Sequence, residues 1–502
     1  MTGEKRIKSV AIIGAGAAGA ATAAALKAEN CFDRIRVFER RETAGGTWIH
    51  DPDPGAELPI HPGGLPAEVD PRLEIPNELP KVKSPNKQER FLRTPVYNSL
   101  TTNVPDIAMC FSDTPFPYGP FVPHHVPRQY VASYFSLHKT DSFLELNTTV
   151  EDLSRITSSS GKHTEQWKLT LRKYEPARQV DFWWEEKFDA VILANGHYSV
   201  PFVPQVKGLD AYTKKFPGRV VHSKHYRTPL LYSNKKVLTI GNSASGHDLT
   251  AELVSAAHLP VYQSRRSKSR WDGNEPPYGI AWKPIIKEYK LDGRIIFDDD
   301  TYLDDIDTVI YCTGYKASFP FWNEKANGRP LWDYEANKII GGYWHTFFQD
   351  FDTLAIVGLP RVLTFRSFEY QAIALARLFS GRNSKSLPPL EEQGRWDSER
   401  EQERRKSGKK FHDIEWETGE TEEWLRKMFE IAGLGTLKGE GRVPPVLGKD
   451  LVWAIENLKK YPEPGKGDDD EGRERVVDRS EVEKEHEWVV VERERKDLLA
   501  FI

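Results

Sequence analysis

The residues best suited to chemistry in this chain are glycines at two tight turns, each set between a short apolar run and a stretch of helix-forming residues. In the first, Gly14, Gly16 and Gly19, with Ala17 and Ala18 ahead of the last, follow the apolar residues 10–13 and open the alanine-rich residues 20–26. In the second, Gly241 and Gly246 bracket Ser243 and Ser245, follow residues 237–240 and open residues 248–257. Strand, turn and helix in that order bring backbone amides and the positive end of a helix onto a pyrophosphate. Missing side chains let the turn tighten, the main chain approach the phosphates and the helix pack on its strand. A chain carrying this unit twice is expected to hold two dinucleotides facing each other.

The residues flanking each turn distinguish the two nucleotides. Glu39 follows a strand predicted over residues 35–38, and its carboxylate suits a ribose diol, with Arg40 beside it placed to stack on adenine. A strand-end surface acid would have the same sequence, so both readings of Glu39 stand. In the second unit Ser243 replaces the middle glycine and brings a β-carbon and a hydroxyl toward the phosphates. Its partner strand, residues 260–263, ends in Ser264, Arg265 and Arg266. Two guanidinium groups suit a 2′-phosphate that a carboxylate would repel, which selects NADPH over NADH; a basic surface turn is the plainer alternative. Gly45, Gly46, Thr47 and Trp48 come soon after Glu39, where a double glycine admits a bulky planar group and Trp48 walls it. Residues 97–105 set Thr102 and Asn103 in a loop, although Asn103 ahead of Pro105 also has the sequence of an ordinary turn.

Positioning these groups takes more than two turns. Residues 189–197 and 307–315 form a weaker repeat, each a buried-type strand run ending at Gly196 or Gly314, as suits a late strand that empties onto a ligand crevice. The turns lie farther apart than these closing strands, so the first unit carries insertions. One is the proline-rich stretch 51–95, without helical periodicity and ordered only by packing or ligand; another is the strand-rich stretch 143–184. A strand-to-glycine run at 354–358 and a helix over 368–379 then return the chain to the first unit. The expected fold class is α/β: two Rossmann-like dinucleotide-binding domains, the second inserted into the first. Residues 1–205 and 330–460 would form the outer domain, the latter with C-terminal helices, and 206–329 the inserted one; 461–502 read as a charged, mobile tail. Mixed charge over 391–410 reads as a solvated helix. Trp424, Leu425, Met428, Phe429 and Ala432 read as a packing face stopped by Gly433 and Gly435.

Composition removes other classes. With 70 basic and 74 acidic residues among 502, the net charge of −4 offers no field for nucleic acid or an anionic membrane. Cys31, Cys110 and Cys312 are too scattered for a dithiol centre or a zinc site, so no metal is expected and a reducing compartment is. Lys5, Arg6 and Lys8 ahead of the apolar residues 10–26 imitate a secretory leader, yet the glycine spacing explains the same residues better.

Just ahead of the second turn lie Phe216, Gly218, His222 and Tyr226, spaced as F-x-G-x-x-x-H-x-x-x-Y. Together with the first turn, Glu39, Gly45 to Trp48, the second turn and Cys312, Gly314 and Tyr315, this set resembles the flavin-containing monooxygenases over residues 8–381 and more loosely to 458. The resemblance implies FAD in the first domain and NADPH in the inserted one. It implies that NADPH reduces FAD, that O2 adds to form a C4a-hydroperoxyflavin guarded by NADP+, and that a tertiary amine, thioether or thiol takes the distal oxygen, an N,N-dimethylaniline-type activity. The cofactor carries the hard chemistry, leaving the protein to supply a dry, positioned pocket. By the same resemblance Asn103 is the catalytic residue at the flavin edge, with Thr102 beside it. Ser245, Gly246 and Asp248 touch the nicotinamide nucleotide, although Asp248 also suits a first helical turn. His222 and Tyr226 organise a hinge rather than carry protons, and Arg366, Glu369 and Gln371 line the flavin. Tyr226-Arg227 departs from the tryptophan followed by proline or an acid typical of Baeyer–Villiger relatives, which favours amine or sulfur over ketone oxygenation. A ketone monooxygenase, a plain NADPH oxidase and an inactive flavin-bound interaction protein stay as alternatives. The expected partners are a small-molecule substrate and O2; the charged C-terminus argues against a membrane anchor and for a cytoplasmic enzyme, and a homo-oligomer is compatible with the sequence.

Overall fold

The computed structural model describes residues 7–461 except 57–58, 89, 157–165, 270, 361, 383 and 434–439. The expectations of a mobile tail beyond 461 and of a stop at Gly435 lie outside the described residues.

The first nucleotide domain is built on the strand Ser9–Ile13, which runs parallel to Arg34–Phe38 on one side and Ala190–Leu193 on the other. Leu354–Ile356 adds parallel to Ala190–Leu193, and Leu144–Glu145 adds outside Arg34–Phe38. Such strands read as continuous apolar runs because both faces of the sheet are covered. Val10 and Ile12 face the helices Ala17–Ala28 and Thr364–Ser380. Ala11 and Ile13 face the antiparallel sheet of Thr148–Ile156, Gln166–Glu175 and Val180–Phe188 through Leu153, Trp167 and Leu169. Alanines along Ala17–Ala28 are buried almost throughout, so this helix packs closely on its strand and on Thr364–Ser380.

After Leu193 the chain leaves to build a second parallel sheet, in the spatial order Val220–His222, Thr308–Tyr311, Lys236–Ile240, His258–Ser264 and Ile280–Lys283. It returns with Leu354–Ile356. The outgoing and returning connections pair antiparallel as Val200–Pro201 against Tyr315–Lys316, so one domain is inserted into the other through a two-stranded neck. The repeat read in the sequence has a physical basis. The Asp189 carboxylate accepts the Lys8 and Ser9 amides at 3.1 and 3.0 Å, and the Asp307 carboxylate accepts the Lys236 amide at 2.8 Å. Each aspartate thus anchors the start of its unit's first strand.

Some elements differ from expectation. The second nucleotide helix is Ala244–Leu253 rather than 248–257, because Ser243 of the turn is already its N-cap. Residues 391–410 form the helix Leu390–Ser407, but it is not merely solvated: Arg400 and Arg404 close on Glu420, and Arg404 is buried. As expected, the stretch 51–95 has little regular structure: among its described residues it holds the short helix Pro66–Val69 and the strand Lys81–Lys83, the latter paired to Val180–Phe188. Its two ends are pinned together at Asp51, whose carboxylate accepts Arg41 Nη2 at 2.6 Å and the Thr94 amide at 2.8 Å. Among the described residues no helix is long and apolar enough to cross a membrane.

Candidate active site

The first turn needs its glycines. Gly14 leaves the strand at φ 109°, and a β-carbon there would lie 2.5 Å from the Ala194 carbonyl oxygen. A β-carbon on Gly19 would overlap the Gly14 carbonyl, so the helix sits directly on the turn. Gly16 is the N-cap of Ala17–Ala28 and supplies no side-chain cap, which leaves first-turn amides, those of buried Ala17 and Ala18 among them, facing the turn. Gly46 meets it closely, since a β-carbon on Gly46 would stand 2.7 Å from the Gly16 α-carbon, and the Gly45 amide donates to the Ala15 carbonyl at 3.0 Å.

Glu39 is not a surface acid. It is buried, with Oε2 accepting the Ala15 amide at 2.8 Å and Oε1 the Arg41 amide at 2.9 Å, so its carboxylate is fixed against the turn. Arg40 directs its guanidinium to the Phe91 carbonyl at 3.3 Å and the Ser199 hydroxyl at 3.2 Å. Trp48 is half-buried and edge-on to Phe365 at 6.4 Å, while Thr47 is exposed. A cleft of about 880 Å³ opens beside these groups, lined by Arg40, Arg41, Trp48, Arg90, Arg128 and Arg172 among others. Uncapped amides and a glycine-only approach fit the pyrophosphate of FAD.

The second turn repeats the geometry with one change. Gly241 has φ 107° and lies against the Cys312 carbonyl, where a β-carbon would stand 2.8 Å from the oxygen; a β-carbon on Gly246 would overlap the Gly241 carbonyl. Ser243 has φ −86° and ψ −170°, close to the −78° and −168° of Gly16, so the backbone at this position does not require glycine. Its side chain is exposed and does not cap the helix; Ser245 stands half-buried in the first helical turn. At the end of the partner strand Arg265 pairs with Asp272 at 3.0 Å and lies over the Trp282 ring at 3.3 Å, and Arg266 is exposed.

Residues 97–102 link the second nucleotide helix to the first domain. Tyr97 donates its hydroxyl to Asp248 and Ser99 to Glu252, both on the second nucleotide helix. Thr102 is buried and exchanges bonds with Val122 of the first domain, amide to carbonyl at 2.9 Å and hydroxyl from amide at 3.0 Å. Asn103 follows at once with its side chain exposed. Asp248 is shared further: Lys460 Nζ reaches it at 3.2 Å and the Tyr461 hydroxyl also donates to it. Its carboxylate is thus a clamp on the second helix.

His222 and Tyr226 are organisers. His222 Nδ1 accepts the Lys224 amide at 3.1 Å, which leaves Nε2 to donate to the Gly314 carbonyl at 3.0 Å. Burial drives its pKa down to about 3, so it is neutral at working pH. Tyr226 donates to Glu252 at 2.7 Å. Arg227, read only as a departure from a relative's pattern, is buried and donates to the carbonyls of Asp51 at 2.6 Å, Lys224 at 2.8 Å, Tyr226 at 2.7 Å and Thr94 at 3.0 Å. The three residues expected to line the flavin each have partners within the protein. Arg366 holds the Cys110 and Ile107 carbonyls, Glu369 accepts from Ser112 and Arg442, and Gln371 accepts the Gly358 amide at 2.9 Å.

Two nested sheets, each with a parallel strand running into a glycine turn, with a buried carboxylate at one turn and neighbouring guanidinium groups by the other, define a flavoprotein with two dinucleotide-binding domains. Residues 83–271 and 278–439 match the flavin-binding monooxygenase-like family, and residues 12–73 match an NAD(P)-binding Rossmann-like domain. The chain belongs to the flavin-binding monooxygenase-like family, and its cofactors are FAD and NADPH. It is 28% identical over 441 residues to flavin-containing monooxygenase iboF of Amanita muscaria, covering 76% of this chain and 80% of that one. It is 30% identical over 452 residues to flavin-containing monooxygenase ustF2 of Aspergillus flavus, covering 81% and 88%. Among solved structures it resembles S-allyl-L-cysteine S-oxygenase of Allium sativum, with TM-score 0.67, 27% identity and coverage of 86% and 90%.

Proposed function

We propose that this flavin monooxygenase transfers one atom of O2 to the nitrogen or sulfur of a small amine, thioether or thiol, with activity of the N,N-dimethylaniline type. Bound FAD, once reduced by NADPH, supplies the activation of O2 and the transferable oxygen. The amides after Gly14, with Gly16, Ala17, Ala18, Gly19, Gly46, Thr47 and Trp48, hold the FAD, and Glu39 and Arg40 take its adenosine end. Gly241, Ser243, Ser245 and Gly246 hold the NADPH pyrophosphate, and Arg265 and Arg266 take the 2′-phosphate. Asn103 is the catalytic residue: its carboxamide hydrogen-bonds at the reacting edge, while Thr102 fixes the loop that presents it. No acid–base dyad is needed, and neutral His222 offers no proton.

The observation that carries this reading is the exposed Asn103, directly after the segment that is bonded both to the second nucleotide helix and to Val122 of the first domain. Heteroatom chemistry draws support from the sulfur-oxygenating relative and from Tyr226, whose hydroxyl meets Glu252 where ketone-inserting enzymes typically carry tryptophan. Purified holoenzyme supplied with NADPH, air and matched panels of sulfides, amines and ketones tests it. Sulfoxides or N-oxides formed in step with NADPH use are expected. Esters from the ketones, or NADPH use that yields peroxide alone, would refute it.

A further inference from the structure

Beside the second turn a single carboxylate oxygen gathers donors from separate pieces of chain. Asp272 Oδ2 accepts Asn242 Nδ2 at 2.7 Å, Arg265 Nη1 at 3.0 Å and the Ser269 amide at 2.8 Å. Asn242 belongs to the glycine turn, Arg265 to the end of the partner strand, and Ser269 to the bend that follows it. Asn242 also donates to the Ser267 carbonyl at 2.8 Å, which locks the turn to that bend. The Asp272 side chain is only 5% exposed, so its charge is balanced locally rather than by water. Burial opposes that charge, but hydrogen bonds from Ser269, Asn242 and Arg265 outweigh it and hold the carboxyl below the ordinary aspartate range.

The consequence falls on Arg265. Its guanidinium is stacked on Trp282 and held through Nη1, and its other nitrogens make no side-chain hydrogen bond among the described residues. A fork held along one edge presents the other at a fixed angle, which a free arginine on a surface turn would reach only by losing rotamer freedom.

We infer that Asp272 is a positioning residue for nucleotide selection: it sets Arg265 for the 2′-phosphate of NADPH and ties that subsite to the pyrophosphate turn through Asn242. This deepens the reading of the second turn as the NADPH site and rests on it. Asp272 acts through Arg265, not by touching the nucleotide. Its carboxylate would repel a phosphate if it stood there unpaired, so the gain is in orientation and not in charge.

Calorimetric titration of FAD-loaded protein with NADP+ and with NAD+ tests this without turnover. In Asp272→Ala the preference for NADP+ should fall by about tenfold, the size of one charge-assisted hydrogen bond, while NAD+ affinity holds. Asp272→Asn, whose carboxamide oxygen can accept the same bonds, should keep the preference. On an Arg265→Ala background Asp272→Ala should have no further effect on it. If Asp272→Ala sheds flavin, Asp272→Ser replaces it, because its shorter side chain cannot hold Arg265. Unchanged preference in both alanine and serine variants, an equal loss for both nucleotides, or additivity with Arg265→Ala would overturn the inference and leave the NADPH reading intact. A wild-type protein that does not prefer NADP+ would overturn that reading, and this one with it.

Discussion

At the scale of single residues, the two turns show that a glycine pattern mixes distinct requirements. Gly246 is needed for space, since a β-carbon would overlap the Gly241 carbonyl, whereas Ser243 sits at an ordinary φ of −86°. Gly246→Ala should therefore cost about 1–3 kcal/mol or displace the turn. Ser243→Gly should change stability by no more than about 0.5 kcal/mol. Paired denaturation curves with NADP+ titrations check both, and equal effects would contradict the assignment. Asn103→Ala tests the catalytic role. It should keep its flavin while oxygenated product per NADPH drops on the order of 10²-fold in favour of peroxide, the scale for losing one preorganised donor. Coupling equal to wild type would remove Asn103 from the chemistry.

At the scale of elements, what was legible in the sequence is what local patterns encode. The strands ahead of each glycine turn, the alanine helix and the closing strands near Gly196 and Gly314 follow from apolar runs and turn residues, and the insertion of one domain in the other follows from their repeat. That 51–95 is ordered by packing was legible, but the contacts responsible were not, because they are long-range bonds to carbonyls. Arg227 and Lys224, far away in sequence, hold the Asp51, Thr94 and Arg93 carbonyls. No periodicity records such bonds. Asp248 was legible as a nucleotide-site candidate but its bonds were not, and Glu252, four residues on along the same helix, was missed, because Tyr97, Ser99, Tyr226 and Lys460 reach them from elsewhere in the chain. Arg227→Met should leave buried carbonyls without donors, lower stability by on the order of 3 kcal/mol and expose 51–95 to protease. Limited proteolysis and chemical denaturation measure this; an unaltered cleavage pattern would mean that the stretch is held by something else.

At the scale of the whole molecule, stability depends on buried histidines that stay neutral. Burial holds His222 down to about 3 and His225 to about 4 against the ordinary 6.5, and His345 and His412, bonded to each other at 2.8 Å, well below it. Between these values and about 6.5 the unfolded chain binds more protons than the folded one, so stability rises with pH there. It should be fully present above about pH 6.5 and be lost progressively as pH falls toward 3, which melting temperatures across that window would record; a flat profile from 6.5 to 4 would contradict the buried, neutral assignment. The central claim is that one chain brings NADPH to FAD and passes an atom of dioxygen to a soft nucleophile. Holoenzyme reduced by NADPH without air, then mixed with isotopically labelled dioxygen and a thioether, tests it most directly. A sulfoxide carrying one labelled atom for each NADPH consumed is the expected result; unlabelled product, or peroxide with the thioether untouched, would contradict it.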